Sequence, residues 1–232
     1  MELSVHDLAR RMDLSAVRTD VDYTEIELLA AQAKRFQVIC AFVMPCYASD
    51  MRRLLEGTPE VGVGSVAGFP SGATATALKA AEARDLVEQG VDEIDMVINV
   101  GWLKSERSAA VREDIRAVVE AAQGLPVKAI LECHYLSDDE MRRGAELAVE
   151  AGVAFVKTGT GWAPTGATLE NVQLLKSVVG DRAGVKAAGG VRDLGTVVEM
   201  MRRGVTRFGI GAESGAKILA ECAGRPGGTI TL

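Results

Sequence analysis

The sequence predicts an α/β protein, a (β/α)8 TIM barrel with a short N-terminal helix, on three observations. Short, continuously apolar segments alternate with amphipathic helical ones; eight such segments follow from Met12 onward; and two of the late ones end on a lysine followed by small residues. Strands apolar all round must be covered on both faces, which implies parallel pairing beneath a layer of helices. Eight units favour closure over the runner-up, a doubly wound open sheet. With 232 residues and no linker-like stretch, residues 1–232 are expected to form one domain.

Residues 3–12 read as a short amphipathic helix with Leu3, Val5 and Leu8 on one face, and Arg11-Met12-Asp13-Leu14 as the first strand. A helix over 25–36 is expected with Thr24 as its cap and Glu27 answering three residues on. Residues 38–44 form an unbroken apolar run stopped by Pro45, and Ser49 is placed to cap a helix over 50–55. The alternation repeats as strand 61–69, helix 77–89 stopped by Gly90, strand 91–100, then Gly101 and a helix over 108–123 ended by Gly124. Strand 127–133, helix 138–151 closed by Gly152, strand 153–157, helix 169–179, strand 184–186, helix 194–203 and strand 206–210 complete the eight units. The stretch Gly224-Arg225-Pro226-Gly227-Gly228 is expected to be mobile on composition.

A net charge of -6 and a pI near 5.1 leave no basic footprint, which argues against a nucleic-acid partner. Cys40, Cys46, Cys133 and Cys222 are irregularly spaced without a CxxC, as in the reduced thiol set of a cytoplasmic protein. No signal-like or bilayer-length apolar run is present, so no membrane association is expected.

In a barrel of this kind the strand carboxyl ends carry function. Phe155-Val156-Lys157-Thr158-Gly159-Thr160-Gly161 ends a strand on a lysine, and Gly184-Val185-Lys186-Ala187-Ala188-Gly189-Gly190 repeats the arrangement. One cation beside another depresses an amine pKa, and a neutral amine attacks carbonyls. In the fourth strand, if Ile94, Met96 and Ile98 face the helices, alternation points Asp95 and Val97 inward. A buried carboxylate needs a partner, and Lys157 and Lys186 are the natural ones. A lone buried Asp reads first as a structural ion pair; two strand-end lysines shift the balance toward a site.

Glycine-rich turns follow the last three strands: Gly159-Thr160-Gly161, Gly189-Gly190-Val191-Arg192, and the run from Gly209 through Gly211-Ala212 to Gly215. Backbone amides in such turns approach an anion closely, which points to a phosphorylated ligand. A metal is poorly supported, since His6 and His134 are the only histidines and lie far apart in sequence. Glu132, Cys133 and His134 end the fifth strand and are placed to line the pocket rim.

These residues together resemble the deoxyribose-phosphate aldolases, from about Met12 to Leu219. The specific pieces are Gly68-Phe69-Pro70-Ser71-Gly72-Ala73-Thr74, the run from Asp92 to Asn99, and the two lysine segments above, the second extending through Val191-Arg192. The resemblance implies a class I aldolase on a TIM barrel, cleaving 2-deoxy-D-ribose 5-phosphate reversibly to D-glyceraldehyde 3-phosphate and acetaldehyde without metal or cofactor. It implies Lys157 as the Schiff-base lysine, Lys186 as the cation that keeps it partly neutral, and Asp95 as the proton shuttle with Lys186. Ser15, Thr160, Gly161, Gly189, Gly190, Arg192, Gly209, Gly211 and Ala212 would hold the sugar phosphate, and a cytoplasmic homodimer is expected.

Departures from the family pattern concern the pocket lining. Ser15 replaces a usual threonine and Arg18 is unusual; Phe42 and Met44 stand for a frequent cysteine and asparagine. Gly211-Ala212 replaces a Ser-Ser pair, and Gly159 a serine. Phe42, Met44, Trp162 and Ala212 motivate a second reading, the same chemistry on a less polar or unphosphorylated aldehyde. A third reading, a non-catalytic sugar-phosphate binder, has no use for both lysines and Asp95.

Overall fold

The computed structural model describes residues 2–232. Its strands are β1 (Glu2–Ser4), β2 (Met12–Ala16), β3 (Cys40–Val43), β4 (Gly62–Ala67), β5 (Glu93–Val97), β6 (Val127–Ile130), β7 (Phe155–Lys157), β8 (Gly184–Ala188), β9 (Arg207–Gly211) and β10 (Thr229–Thr231). Its helices are α1 (Val5–Ala9), α2 (Tyr23–Phe36), α3 (Ala48–Leu54), α4 (Thr76–Glu88), α5 (Val100–Lys104), α6 (Ser108–Ala121), α7 (Asp138–Glu150), α8 (Leu169–Val179), α9 (Leu194–Arg202) and α10 (Ala212–Ala223). Strands β2 to β9 close in sequence order into a parallel barrel, the (β/α)8 TIM fold.

Strand alternation separates two cores. Ile94, Met96, Val156, Val185 and Phe208 point outward into a continuous layer beneath the helices, while Cys40, Phe42 and Val66 form a separate apolar cluster. Helices stop where the chain needs a left-handed residue: Gly90 (φ 80°) follows α4 and Gly152 (φ 90°) follows α7.

Several local expectations need correction. Residues 2–4 are a strand, not the start of a helix: β1 pairs antiparallel with β10, Leu3 opposite Ile230, so the carboxyl end is tied down rather than loose. Asp22, not Thr24, caps α2, its side chain accepting from Glu25 N. Ser49 lies inside α3, where its amide and hydroxyl both donate to Gln89 Oε1. Gly101 is no turn but part of α5, whose cap is Asn99 accepting from Trp102 N. All four cysteines are free, and only Cys46 is exposed. Among the described residues no helix is long and apolar enough to cross a membrane.

Candidate active site

The register of the barrel brings the charged residues together. Asp95 on β5 stands opposite Lys128 on β6, Lys157 on β7 opposite Lys186 on β8, and Lys186 opposite Arg207 on β9. All project inward because each lies on the inward phase of an otherwise apolar strand. Asp95 is fully buried and accepts from three amines: Lys157 Nζ and Lys186 Nζ, each 2.6 Å from Oδ2, and Lys128 Nζ, 3.0 Å from Oδ1. Lys186 Nζ lies 2.6 Å from Asp13 Oδ2 as well. Below them Arg207 bridges Asp13 (2.5 Å) and Glu93 (2.9 Å), and Lys128 reaches Glu93 at 2.6 Å.

Four cationic side chains, Lys128, Lys157, Lys186 and Arg207, thus face three carboxylates, Asp13, Glu93 and Asp95. The cluster is balanced when one amine is neutral. Burial lowers the Lys157 pKa to about 8; Asp95 opposes the shift and Lys186 adds to it. Burial alone would raise the Asp95 carboxyl, but Lys128, Lys157 and Lys186 outweigh it and hold the group well below the carboxylate range. Asp13 is lowered in the same way, against burial, by Lys186, Lys128 and Arg207.

Above the cluster opens a cavity of about 300 Å³, with Lys157 and Lys186 among its lining. Of the residues expected to hold substrate, Ser15, Thr160, Gly161, Gly189, Gly190, Arg192, Gly209 and Gly211 line it. Ala212 does not: it opens α10 and packs half-buried against the outer core. Ser214 and Arg18 line the cavity instead. Arg18 is bound to Asp20 and Glu25, whereas Arg192 has no carboxylate within ion-pair distance among the described residues. The first turn of α10 has no side-chain cap, so its amides are open where Gly211 and Ser214 meet the cavity. Trp162 overhangs from the loop after β7, its Nε1 donating to Val17 O at 2.9 Å and its ring edge-on to Phe69.

The departure at Gly159 has a local cause. A Cβ there would crowd the Glu132 carboxylate, which is buried and bound to the amide and hydroxyl of Thr160. Glu132 therefore positions the loop after β7, while His134 is exposed and bonded to Thr165. Gly209 gives Lys186 its room, with Cε 3.1 Å from where a Cβ would stand. Lys128, Asp13, Glu93 and Arg207 were absent from the expected site. Asp13, Cys40 and Glu93 converge within 4.8 Å, but both carboxylates are engaged by cations. Burial, with the nearby Asp13 and Glu93 carboxylates, raises the Cys40 thiol well above its usual range.

A parallel barrel with a buried amine of lowered pKa lining its carboxyl-end cavity has the build of a lysine-dependent aldolase. Residues 7–221 match the DeoC/LacD family aldolase, and the chain belongs to that family. It is 43% identical over 228 residues to a deoxyribose-phosphate aldolase of Klebsiella pneumoniae, covering 97% of this chain and 92% of that one. To the deoxyribose-phosphate aldolase of Rhizobium meliloti it is 42% identical, covering 99% and 93%. Among solved structures, the tetrameric deoxyribose phosphate aldolase of Aeropyrum pernix superposes with a TM-score of 0.87 at 29% identity, covering 95% and 93%.

Proposed function

We propose that this chain is a class I aldolase that reversibly cleaves 2-deoxy-D-ribose 5-phosphate to D-glyceraldehyde 3-phosphate and acetaldehyde, with residues 1–232 acting as one domain. The observation that carries this reading is Lys157: a buried amine with its pKa lowered to about 8, opening into a cavity lined by glycine-rich turns. Its neutral form adds to the C1 aldehyde, and loss of water leaves an iminium that withdraws electrons. Deprotonation of the C3 hydroxyl then breaks the C2–C3 bond, and its electron pair forms the enamine. Protonation of the enamine carbon and hydrolysis release acetaldehyde and return the amine. Lys186 and Asp95, 2.6 Å apart, carry the proton transfers.

The phosphate is held where Gly161, Gly189, Gly190 and Gly211 bring backbone to the cavity, with the guanidinium of Arg192 and the hydroxyls of Ser15 and Ser214 beside it. No cofactor enters this scheme. We place the enzyme in the cytoplasm as a homodimer; Leu28 on α2 and Leu78 on α4 expose more than half their surface on the outer helices. Light scattering on the purified chain tests that state.

Trapping with borohydride in the presence of deoxyribose 5-phosphate, and separately of acetaldehyde, tests the chemistry. An adduct mapped to Lys157 with both is the expected result, and no adduct with either would sink the aldolase reading. The overhang of Trp162 favours a second reading, an unphosphorylated acceptor. Equal rates on phosphorylated and plain deoxyribose would select it.

A further inference from the structure

Phe42 on β3 is 2% exposed, and its ring faces two of the three lysines that reach Asp95. Lys186 Nζ lies 4.1 Å and Lys128 Nζ 4.5 Å from the ring centroid; Lys157 makes no such contact among the described residues. The neighbouring strand leaves space for the ring, since a Cβ at Gly64 would collide with it. The face of an aromatic ring is electronegative and attracts a cation most strongly where water is excluded.

Lys157 and Lys186 share one acceptor, Asp95 Oδ2. Two ammonium groups so close repel, and once the pair has shed a proton the surroundings of each amine decide which keeps its charge. The charged groups facing the pair are Asp13 from β2, Glu93 and Asp95 from β5, Lys128 from β6 and Arg207 from β9, with the Cys40 thiol from β3. Lys186 touches Asp13 and the Phe42 ring; Lys157 touches neither.

We propose that Phe42 sorts charge between the two lysines: its ring holds the ammonium of Lys186, so that the free amine is left on Lys157. The inference rests on the aldolase reading above and makes Phe42 a positioning residue that acts through Lys186. Asp13 biases the proton the same way, and the ring adds to that bias without adding a charge of its own.

The test replaces Phe42 with 4-fluoro-, difluoro- and pentafluoro-phenylalanine, which keep the ring while draining electron density from its face. Phe42→Leu and Phe42→Tyr are made alongside. Each protein is treated with acetaldehyde and borohydride and its lysines mapped; both lysines line the cavity. In the parent the adduct sits on Lys157. With increasing fluorination the share on Lys186 rises and kcat/KM falls in steps, by on the order of tenfold at pentafluoro, while the thermal midpoint stays level. Phe42→Tyr stays near the parent, and Phe42→Leu falls with the pentafluoro protein. A labelling ratio and kcat/KM that are flat across the fluorinated series, or that merely track the thermal midpoint, overturn the proposal. A parent with no adduct on Lys157 brings down the aldolase reading itself; a labelled parent with a flat series brings down only the role of Phe42.

Discussion

Two buried lysine–aspartate contacts in this molecule look alike but stand in different surroundings. Lys79 on α4 meets Asp114 on α6 at 2.6 Å outside the barrel, and Lys157 meets Asp95 at 2.6 Å inside it. In both, the lysine pKa is lowered and burial is the leading cause. Distance, burial and pKa direction therefore do not separate the two pairs. Stoichiometry and access do. Asp114 serves one lysine, its other oxygen accepts from Thr76 at 2.8 Å, and Lys79 spends a further proton on Val97 O at 2.9 Å. Every charge there is matched and sealed. Asp95 serves three lysines, and the cluster around it holds one cation too many beside a cavity.

The comparison predicts opposite responses to mutation. Lys157→Ala should lower kcat/KM by roughly 10³-fold or more and abolish the borohydride adduct, without lowering the melting temperature, because it removes the surplus cation. Lys79→Met should do the reverse. It leaves the Asp114 carboxylate buried without its cation, so urea unfolding should show a loss of about 3–5 kcal/mol while kcat/KM stays within a few-fold. Loss of the Lys157 adduct in Lys79→Met would break the comparison. Asp95→Asn should lower the plateau of kcat/KM by about 10²-fold. Because Asp95 raises the Lys157 pKa, its neutralisation should also move the acid limb of the pH–rate profile below 8. A limb that moves upward instead would mean that Asp95 does not hold the Lys157 proton.

The barrel was legible because buried parallel strands are continuous apolar runs and glycines mark helix ends. What escaped was pairing between distant segments: Glu2-Leu3-Ser4 and Thr229-Ile230-Thr231 carry no local sign that they meet. The short helix α5 was hidden by Gly101, which reads as a breaker. Lys157, Lys186 and Asp95 were expected to meet and do, but Lys128, which joins them at Asp95, was missed although the same signal marks it. It is a charge inside the apolar run Val127-Lys128-Ala129-Ile130, on the inward phase, directly opposite Asp95. Arg207 and Asp13 obey the same rule at their own strands. The charge excess that distinguishes Asp95 from Asp114 needs the strand register, which no single segment contains.

A further expected effect is the most specific to that excess. Folded Lys157 releases its proton near pH 8, whereas the ordinary lysine value is 10.5. Between these values the unfolded chain binds more protons than the folded one, so the parent should gain stability as pH rises through that window. Below about 8 the amine is protonated in both states and the burden of burying a surplus cation is present in full. Lys157→Met carries no such burden. It should therefore be more stable than the parent at pH 7, by on the order of 3 kcal/mol at most, and its advantage should shrink steadily toward pH 10.5. Lys79 is present in both proteins, so its own titration cancels in the difference. Urea midpoints for the two proteins at pH 7, 8.5 and 10 measure the gap. A gap that does not change with pH would mean that Lys157 holds its proton as tightly folded as unfolded, and the cluster would then be no different in kind from the sealed pair at Lys79.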